Sequence, residues 1–317
     1  MSQILHIKQT HERGAALIIV LGLVAVIAGW AATAAYEDMV SLRRAENSIL
    51  AMKAELACLS VFELAKAGLK QDARDGRGDN LEEDWAQSAV PFPIDDGLVA
   101  GDVVDVNRYL NLNDLVGANG QAILPMVEMT KRLFMAKDVD VGLVDALVDW
   151  MDADSIPFGP GGIEDSGYFS QDYMVKNAPL DRLNELRLIA GYNQDVMASL
   201  KDLVVVWPVV ADVYSKVNIN TVEVDVLLAM FPNLSDVDAA SIFSDRPYDQ
   251  LSGLQTAAWA QGAAGKLMFS RLSVSSDGFM VRAHALFGRA DWREEYGLSR
   301  QGENLTLRWR ERLLWQP

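Results

Sequence analysis

Residues 15–36, AALIIVLGLVAVIAGWAATAAY, form a run of 22 uncharged residues directly behind a short polar leader that ends in Glu12-Arg13-Gly14. In a helix that rises about 1.5 Å per residue the run is roughly 33 Å long, and the hydrocarbon core of a bilayer is about 30 Å thick. The stretch therefore predicts a membrane-spanning helix. Because Lys8 and Arg13 lie on its N-terminal side, we expect that flank to stay in the cytoplasm and the rest of the chain to be exported.

A cleaved secretory signal is the alternative interpretation of this run. Such a signal has an apolar core of about 7–15 residues followed by a small-residue cleavage site, and residues 31–35, AATAA, resemble one. The continuation argues against cleavage there, because residues 31–67 contain neither Gly nor Pro and carry an apolar stripe at helical spacing. We expect the helix to continue to about Gly68 and the stripe to pack against other helices; its members are Leu42, Ala45, Ile49, Met52, Leu56 and Leu59.

This N-terminus resembles those of type IV pilins and of the pseudopilins of type II secretion. The features in common are the polar leader, Gly14, the spanning apolar segment and the amphipathic continuation. The resemblance implies that a prepilin peptidase removes residues 1–14 as a leader and that the new N-terminus, Ala15, is methylated. It also implies a single-pass protein of the inner membrane of a Gram-negative bacterium, with a large periplasmic domain.

One position departs from the pilin pattern. The family usually has a Glu at the fifth mature position, where this chain has Ile19. A carboxylate in lipid is costly unless it is paired, and in pilins it neutralises the N-terminal amine of a neighbouring subunit. A subunit without this carboxylate has no charge that could pair with the N-terminal amine of a subunit above it. The chain therefore resembles the minor pseudopilins of the general secretion pathway protein K family, which lack that Glu and occupy the filament tip.

Charge and cysteine content limit the partners and the disulfides that are possible for the exported part. The formal net charge is −16, and loss of the leader, which carries a net +1, would leave −17. Such a surface repels the phosphates of nucleic acids and anionic lipids, and it suits calcium or a basic partner better. The single cysteine, Cys58, cannot form an internal disulfide.

The order of strand and helix patterns predicts an α+β fold in which a helical domain interrupts a sheet domain. We assign residues 15–70 to the N-terminal helix, 71–112 and 264–317 to a pilin-like α+β domain with an antiparallel sheet, and 113–263 to a large all-α inserted domain. Strands are predicted at Leu98–Val106, Leu267–Ser275, Phe279–Gly288, Asp291–Leu298 and Asn304–Trp315, with a hairpin turn at Asp277-Gly278. The clearest helices are Ile123–Lys137, Val141–Met151, Leu183–Ala190 and Val222–Phe231.

The resemblance to the K pseudopilins extends over most of the chain and implies the same inserted domain. Three further segments carry it: residues 108–113, RYLNLN; residues 147–154, LVDWMDAD; and residues 177–189, which begin NAPL. A competing resemblance lies at residues 217–221, VNINT, because such segments open helix-hairpin-helix modules that bind DNA phosphates. The hairpin glycines are missing here and the nearby charges are acidic. We therefore expect SAM-like or helix-hairpin-helix-like units without nucleic acid binding; a membrane-anchored DNA-uptake protein remains the alternative.

An acidic segment around a glycine-rich turn is the strongest candidate site. Five carboxylates flank residues 159–162, GPGG, and hard oxygen ligands on a flexible loop favour calcium. They are Asp149, Asp152, Asp154, Glu164 and Asp165, with Asp172 and Asp181 in reserve. The spacing is not that of an EF-hand, and the alternative is that these side chains simply face water. The resemblance to the K family also implies calcium.

The sequence offers little for catalysis. Loss of the leader would leave His284 as the only histidine, and the chain contains no G-x-S-x-G, G-x-G-x-x-G or P-loop motif. A periplasmic enzyme would require the acidic segment to line a deep cleft. We instead predict a non-enzymatic minor pseudopilin. The resemblance implies that it caps the tip of the pseudopilus, nucleates its assembly beside the minor pseudopilins I and J and also H, and aids the export of folded proteins across the outer membrane.

Overall fold

The computed structural model describes residues 8–76, 78–87, 90–209 and 214–313, and for residues 8–13 it describes the backbone alone. Helices in chain order are α1 Lys8–Asp75, α2 Leu124–Ala136, α3 Gly142–Met151, α4 Gln194–Leu200, α5 Val224–Met230, α6 Asp236–Ser244 and α7 Gly262–Phe269. Strands are β1 Phe92–Ile94, β2 Gly97–Asp105, β3 Leu110–Asn111, β4 Val204–Val205, β5 Val217–Asn218, β6 Leu272–Ser273, β7 Gly278–Phe287, β8 Ala290–Gln301 and β9 Asn304–Arg312.

Helix α1 is continuous through the predicted leader junction and the apolar run. From Gly14 to Asp75 it is long and apolar enough to cross a membrane, and its most apolar window has a mean hydropathy of 2.6 with none of it buried in the protein. The predicted end near residue 70 was too early. Leu69 is fully buried and Asp72 pairs with Arg300 of β8 at 2.8 Å, so the sheet holds the last turns of the helix in place.

A five-stranded antiparallel sheet, in the order β1-β2-β7-β8-β9, packs against the C-terminal half of α1. The side of α1 that faces it carries small or flat side chains, including Ala54, Ala57 and Cys58, which let helix and sheet approach closely. Phe62 stacks on Tyr296 of β8 with ring centroids 4.4 Å apart. The sheet and this helix side share one hydrophobic core, as the pilin-like α+β prediction requires.

The segment between β2 and β7 forms a second and larger core, built mainly from helices. Its C-terminal boundary lies beyond the predicted residue 263, because Met268 and Leu272 are buried in this core. The strand predicted at Leu267–Ser275 is only partly correct: α7 extends to Phe269, and β6 covers Leu272–Ser273 alone and pairs with β5 in parallel rather than forming a hairpin with β7. Met268 lies in α7 and Leu272 lies in β6, so the chain changes from helix to strand within the predicted segment.

The inserted domain is also not purely helical. Two short parallel ladders, β3 with β4 and β5 with β6, tie its distant segments together. The α-helix predicted at Leu183–Ala190 is a 3₁₀ turn at Leu183–Leu188 in which Leu186 alone is buried. The chain between α3 and α4 is rich in Gly and Pro, which disfavour α-helix, so hydrogen-bonded turns and polar side chains organise this region.

Sheet and inserted domain meet on the sheet face that lies opposite α1. Trp207 from the inserted domain packs with Met280 of β7 and Trp309 of β9. Beside this apolar contact, the buried Asp105 at the end of β2 accepts hydrogen bonds from Asn218 at 3.3 Å and from two hydroxyls. Burial raises the pKa of Asp105. Apolar packing and buried polar bonds thus fix the two domains against each other.

Candidate functional site

The predicted acidic segment folds into a compact carboxylate cluster at the C-terminal end of α3. The helix stops because Asp152 takes an extended conformation, with φ −74° and ψ 177°. The following loop then returns to bring Glu164 alongside. Asp152, Asp154 and Glu164 each offer a carboxylate oxygen, and these oxygens all lie within 4.8 Å of one another. Asp149 is fully buried one turn earlier on the same helix.

Several oxygens of this cluster are buried without a partner. Oδ2 of Asp149, Oδ1 of Asp152 and both Oε atoms of Glu164 have no hydrogen-bond donor within the part of the chain that the structure describes. A buried acceptor left unpaired costs roughly 1–3 kcal/mol, and more when it is charged. Without a ligand the cluster therefore lowers the stability of the folded state, and its unpaired oxygens are available to bind a cation.

Backbone hydrogen bonds shape the loop around the cluster. The N–H of Phe158 donates to Oδ1 of Asp149 at 2.7 Å, and the N–H of Ile156 donates to Oδ1 of Asp154 at 2.8 Å. Gly159 has φ +64°, a conformation that L side chains rarely adopt. A Cβ on Gly162 would lie 2.6 Å from Oδ2 of Asp149. The glycine-rich turn is thus required for the loop to approach the carboxylates.

The electrostatics of the cluster favour protonation or a bound cation. Burial raises the pKa of Glu164 to about 7, and the charges of Asp149, Asp152 and other nearby carboxylates add to the rise. Burial raises the pKa of Asp149 to about 6 despite the hydrogen bond from Phe158, and burial also raises the pKa of Asp152. A set of hard oxygen donors with excess negative charge fits a divalent cation of the calcium type.

The apolar stripe of α1 lies on the side of the helix that faces away from the sheet. Ile49, Met52 and Leu56 are 57–62% exposed, whereas Ala54 and Cys58 on the opposite side are fully buried. Leu42, Ala45 and Leu59 of the stripe are exposed as well. Both sides of this helix segment are therefore apolar, although the fold covers one of them and leaves the other uncovered.

Comparison with known proteins was made at the level of sequence and fold. A family model described as "Type II secretion system (T2SS), protein K" matches residues 108–209. The Klebsiella pneumoniae type II secretion system protein K is 28% identical over 315 residues, 93% of this chain and 95% of the relative. That of Pseudomonas aeruginosa is 32% identical over 234 residues, 69% of this chain and 68% of the relative. The chain belongs to the type II secretion system protein K family.

Solved structures agree with this family at the level of fold. A chain of the GspK–GspI–GspJ complex from the type 2 secretion system of enterotoxigenic Escherichia coli superimposes with a TM-score of 0.74 at 22% identity. The match covers 86% of this chain and all of that chain. The predicted family and its place in protein secretion as a minor pseudopilin are confirmed, as is the α+β fold with a long N-terminal helix and an antiparallel sheet.

Not every predicted site residue of this protein K family member joins the carboxylate cluster. Asp165 follows Glu164, but its Oδ1 accepts the N–H of Val175 at 3.0 Å, and it lies outside the three-carboxylate group. Of the reserve candidates, Asp172 is exposed with φ +58° and Asp181 pairs with Lys176 at 2.8 Å. The structure thus concentrates the candidate site on the end of α3 and on Glu164.

Sequence reasoning missed Asp145, which supports the same loop. Asp145 is buried one turn before Asp149 on α3 and pairs with Lys131 at 2.6 Å. Its Oδ2 accepts the N–H of Gly161 at 3.2 Å. The spacing of four residues between Asp145 and Asp149 was the available signal, because it places both carboxylates on one face of a helix. Because the ammonium group of Lys131 pairs with Asp145, it does not neutralise the unpaired oxygens of Asp149, Asp152 and Glu164.

A second group of acidic side chains lies where α1 meets the sheet, and it is already paired with an arginine side chain. Asp72, Asp79 and Glu83 bring carboxylate oxygens within 4.8 Å of one another. The buried Arg300 donates to Asp72 at 2.8 Å and also to Asp79. Burial raises the pKa of Asp79 to about 7, although the Arg300 charge opposes the rise. With the guanidinium in place, this group is a structural ion-pair network, which sequence spacing does not indicate.

Neither alternative function gains support from the site geometry. A cavity of about 560 Å³ is lined by Trp150, Tyr173 and Glu185 among others and by none of the clustered carboxylates. His284 pairs with Asp291 at 2.9 Å on an exposed part of the sheet. In the segment that resembles a helix-hairpin-helix opening, Asn218 is buried and its amide donates to the carbonyl of Asp79 at 3.0 Å. This side chain serves packing between domains and is not available to DNA.

Proposed function

We propose that this chain occupies the tip of the pseudopilus, where it nucleates assembly in the inner membrane and aids the export of folded proteins across the outer membrane. The observation that carries the proposal is the exposed stripe of α1, which offers an apolar helix face to neighbours over the whole length from Leu42 to Leu59. Ile19 supports a terminal position, because the chain has no carboxylate there to pair with the N-terminal amine of a further subunit.

Minor pseudopilins I and J are the proposed neighbours, with H as a further one. The similar fold in the GspK–GspI–GspJ complex supports this proposal. Helices that present apolar residues at alternating three- and four-residue spacing pack side by side, so a stripe on one helix fits similar stripes on its neighbours. The expected contact involves Ile49, Met52 and Leu56.

Processing by a prepilin peptidase is the route by which the chain would enter the filament. We propose cleavage between Gly14 and Ala15 and methylation of Ala15. Gly14 is exposed, and apart from its own helix backbone and chain neighbours no atom that the structure describes lies within 4 Å of the position of a Cβ there, which is compatible with access by a peptidase. The spanning helix would then remain in the inner membrane and hold the sheet and inserted domains in the periplasm.

We further propose that the carboxylate cluster holds calcium. Asp152, Asp154 and Glu164 would supply ligands and Asp149 would add charge and an unpaired oxygen, whereas Asp165 would act only through its charge. Bound calcium would neutralise the cluster and join the end of α3 to the returning loop. The pair α5–α6 would serve as a helix-hairpin-helix-like unit for protein contacts, since the charges around α6 are acidic.

Co-purification with I and J from detergent-solubilised membranes tests the tip proposal. A carboxylate in the stripe, in Ile49→Asp or Leu56→Asp, should abolish recovery of the complex. The thermal unfolding midpoint should change little because both side chains are more than half exposed. Ile49→Leu, which keeps an apolar side chain, should retain the complex. Full recovery of I and J with both Asp variants would show that the stripe is not the contact.

A further inference from the structure

The two edges of the sheet differ in how open they are to another strand. β1 has three residues and contains Pro93, and short edges with proline are protected against strand addition. β9 has nine residues and no proline, and among the described residues it pairs with β8 alone. A long unpaired edge is a template on which an extended chain can add as a strand. The asymmetry singles out β9 as the edge that can accept a partner.

The ladder shows which backbone groups of β9 point outward. The N–H of Leu313 donates to the carbonyl of Arg293 at 2.9 Å. Hydrogen-bonded and non-hydrogen-bonded pairs alternate in an antiparallel ladder, so the next bonded pair is Glu311 with Glu295. Arg310 and Arg312 therefore turn their N–H and C=O groups away from β8, toward the open edge.

Positive charge is concentrated on this edge of a strongly acidic protein. β9 carries three arginines and one glutamate, whereas the whole chain has a net charge of −16. Arg310 pairs with Glu294 at 2.6 Å and with Glu55 of α1 at 2.8 Å. Arg308 donates to the hydroxyl of Ser299 at 2.7 Å, and Arg312 lies 3.5 Å above the ring of Trp292.

Two of these guanidinium groups have no carboxylate beside them in the described part of the chain. Within the residues that the structure describes, neither Arg308 nor Arg312 has a carboxylate partner. A second copy of the chain is a poor occupant, because two antiparallel β9 strands centred on Arg310 would place Arg308 opposite Arg312. The complementary partner is an extended segment that carries Asp or Glu. Leu307 beside the arginines is 46% exposed and offers an apolar contact to the same segment.

The open edge also adjoins the proposed helix interface. Glu55, which binds Arg310, precedes Leu56 of the exposed stripe on α1. A neighbour whose helix packs on the stripe would therefore bring its own periplasmic domain toward β9. We propose that an extended acidic segment of a neighbouring minor pseudopilin, I or J, adds to β9 as a sixth strand in the assembled pseudopilus. This inference rests on the partners proposed above.

Amide hydrogen exchange on the full chain in detergent tests the inference, measured for the chain alone and in complex with I and J of its own system. The amides of Arg310 and Arg312 should exchange at least about tenfold more slowly in the complex, because a new strand would bond them. The double substitution Arg308→Glu and Arg312→Glu should weaken complex formation about tenfold or more. Arg289→Glu, an exposed arginine at the β7–β8 turn, is the matched control and should bind like the wild type.

The outcomes separate this inference from the proposed partnership. If the complex forms while β9 exchanges as in the free chain, strand addition is wrong and the partnership stands. If no complex forms, both are wrong. Slow exchange in the chain alone together with a doubled mass would assign the edge to a second copy and overturn the proposal. Unchanged affinity of the double variant would contradict the acidic character of the added segment.

Discussion

The backbone N–H of Phe158 donates a 2.7 Å hydrogen bond to the carboxylate of Asp149, nine residues earlier in the chain. This bond folds the loop back on the end of α3 and leaves the second oxygen of Asp149 buried and unpaired. The cluster is therefore formed by the protein itself, and a cation would find its ligands already in place. Binding to such a preformed site stabilises the folded state without a large cost of ordering the loop.

Calcium should raise the stability of the metal-free chain. At a free calcium concentration 100 times the dissociation constant, linkage predicts a gain of about 2.7 kcal/mol in the free energy of unfolding. Differential scanning calorimetry of the detergent-solubilised protein measures it. Asp152→Asn and Glu164→Gln should reduce the shift strongly, whereas Asp249→Asn, an exposed acid with no part in the cluster, should keep it. An unchanged midpoint on addition of calcium to the wild type would remove the calcium proposal.

Without calcium, stability should fall as pH rises from about 5 to about 8. The pKa of Glu164 is raised to about 7 and that of Asp149 to about 6, above their unfolded values near 4. The folded state therefore binds more protons than the unfolded chain in this window, and the free energy of unfolding decreases as those protons leave. Urea unfolding at several pH values should show a weaker slope for Glu164→Gln than for the wild type. Asp79, whose pKa is also raised to about 7, contributes equally to both proteins.

A methyl group at Gly162 should disturb the loop and the cluster together. In Gly162→Ala the new Cβ would lie 2.5 Å from the Phe158 nitrogen and 2.6 Å from Oδ2 of Asp149. We expect a loss of about 1–3 kcal/mol in the free energy of unfolding and weaker calcium binding. In Gly253→Ala the Cβ would have no described atom within 4 Å other than those of its chain neighbours, so this variant is the control. Equal behaviour of the two variants would contradict the described loop packing.

Removal of Arg300 should destabilise the junction between α1 and the sheet. Arg300→Met would leave Asp79 buried without its ionic partner, and breaking such a pair from one side typically costs about 3–5 kcal/mol. Chemical denaturation measures the loss against Arg289→Met on the exposed turn. A loss below that of the control would mean that the ion pair contributes nothing to the fold.

The parts of the fold that sequence could predict are those with long and regular patterns. The spanning helix, α2, α3, α5 and the strands β7, β8 and β9 follow from apolar periodicity, and the carboxylate cluster follows from acids flanking a glycine-rich turn. Local patterns could not locate the end of α7 and the start of β6, because Met268 of α7 and Leu272 of β6 acquire their inward direction from a core assembled by distant segments. The Arg300 network joins residues more than 220 positions apart, so no spacing reveals it.

The central claim is that the apolar helix remains in the mature protein as a processed pseudopilin anchor. Mass spectrometry of the N-terminal peptide of the protein extracted from inner membranes tests it most directly. The account predicts a polypeptide that begins at Ala15 and carries one methyl group on its amine. A mature chain that begins near Tyr36, or one that retains Met1 and the whole leader, would contradict it.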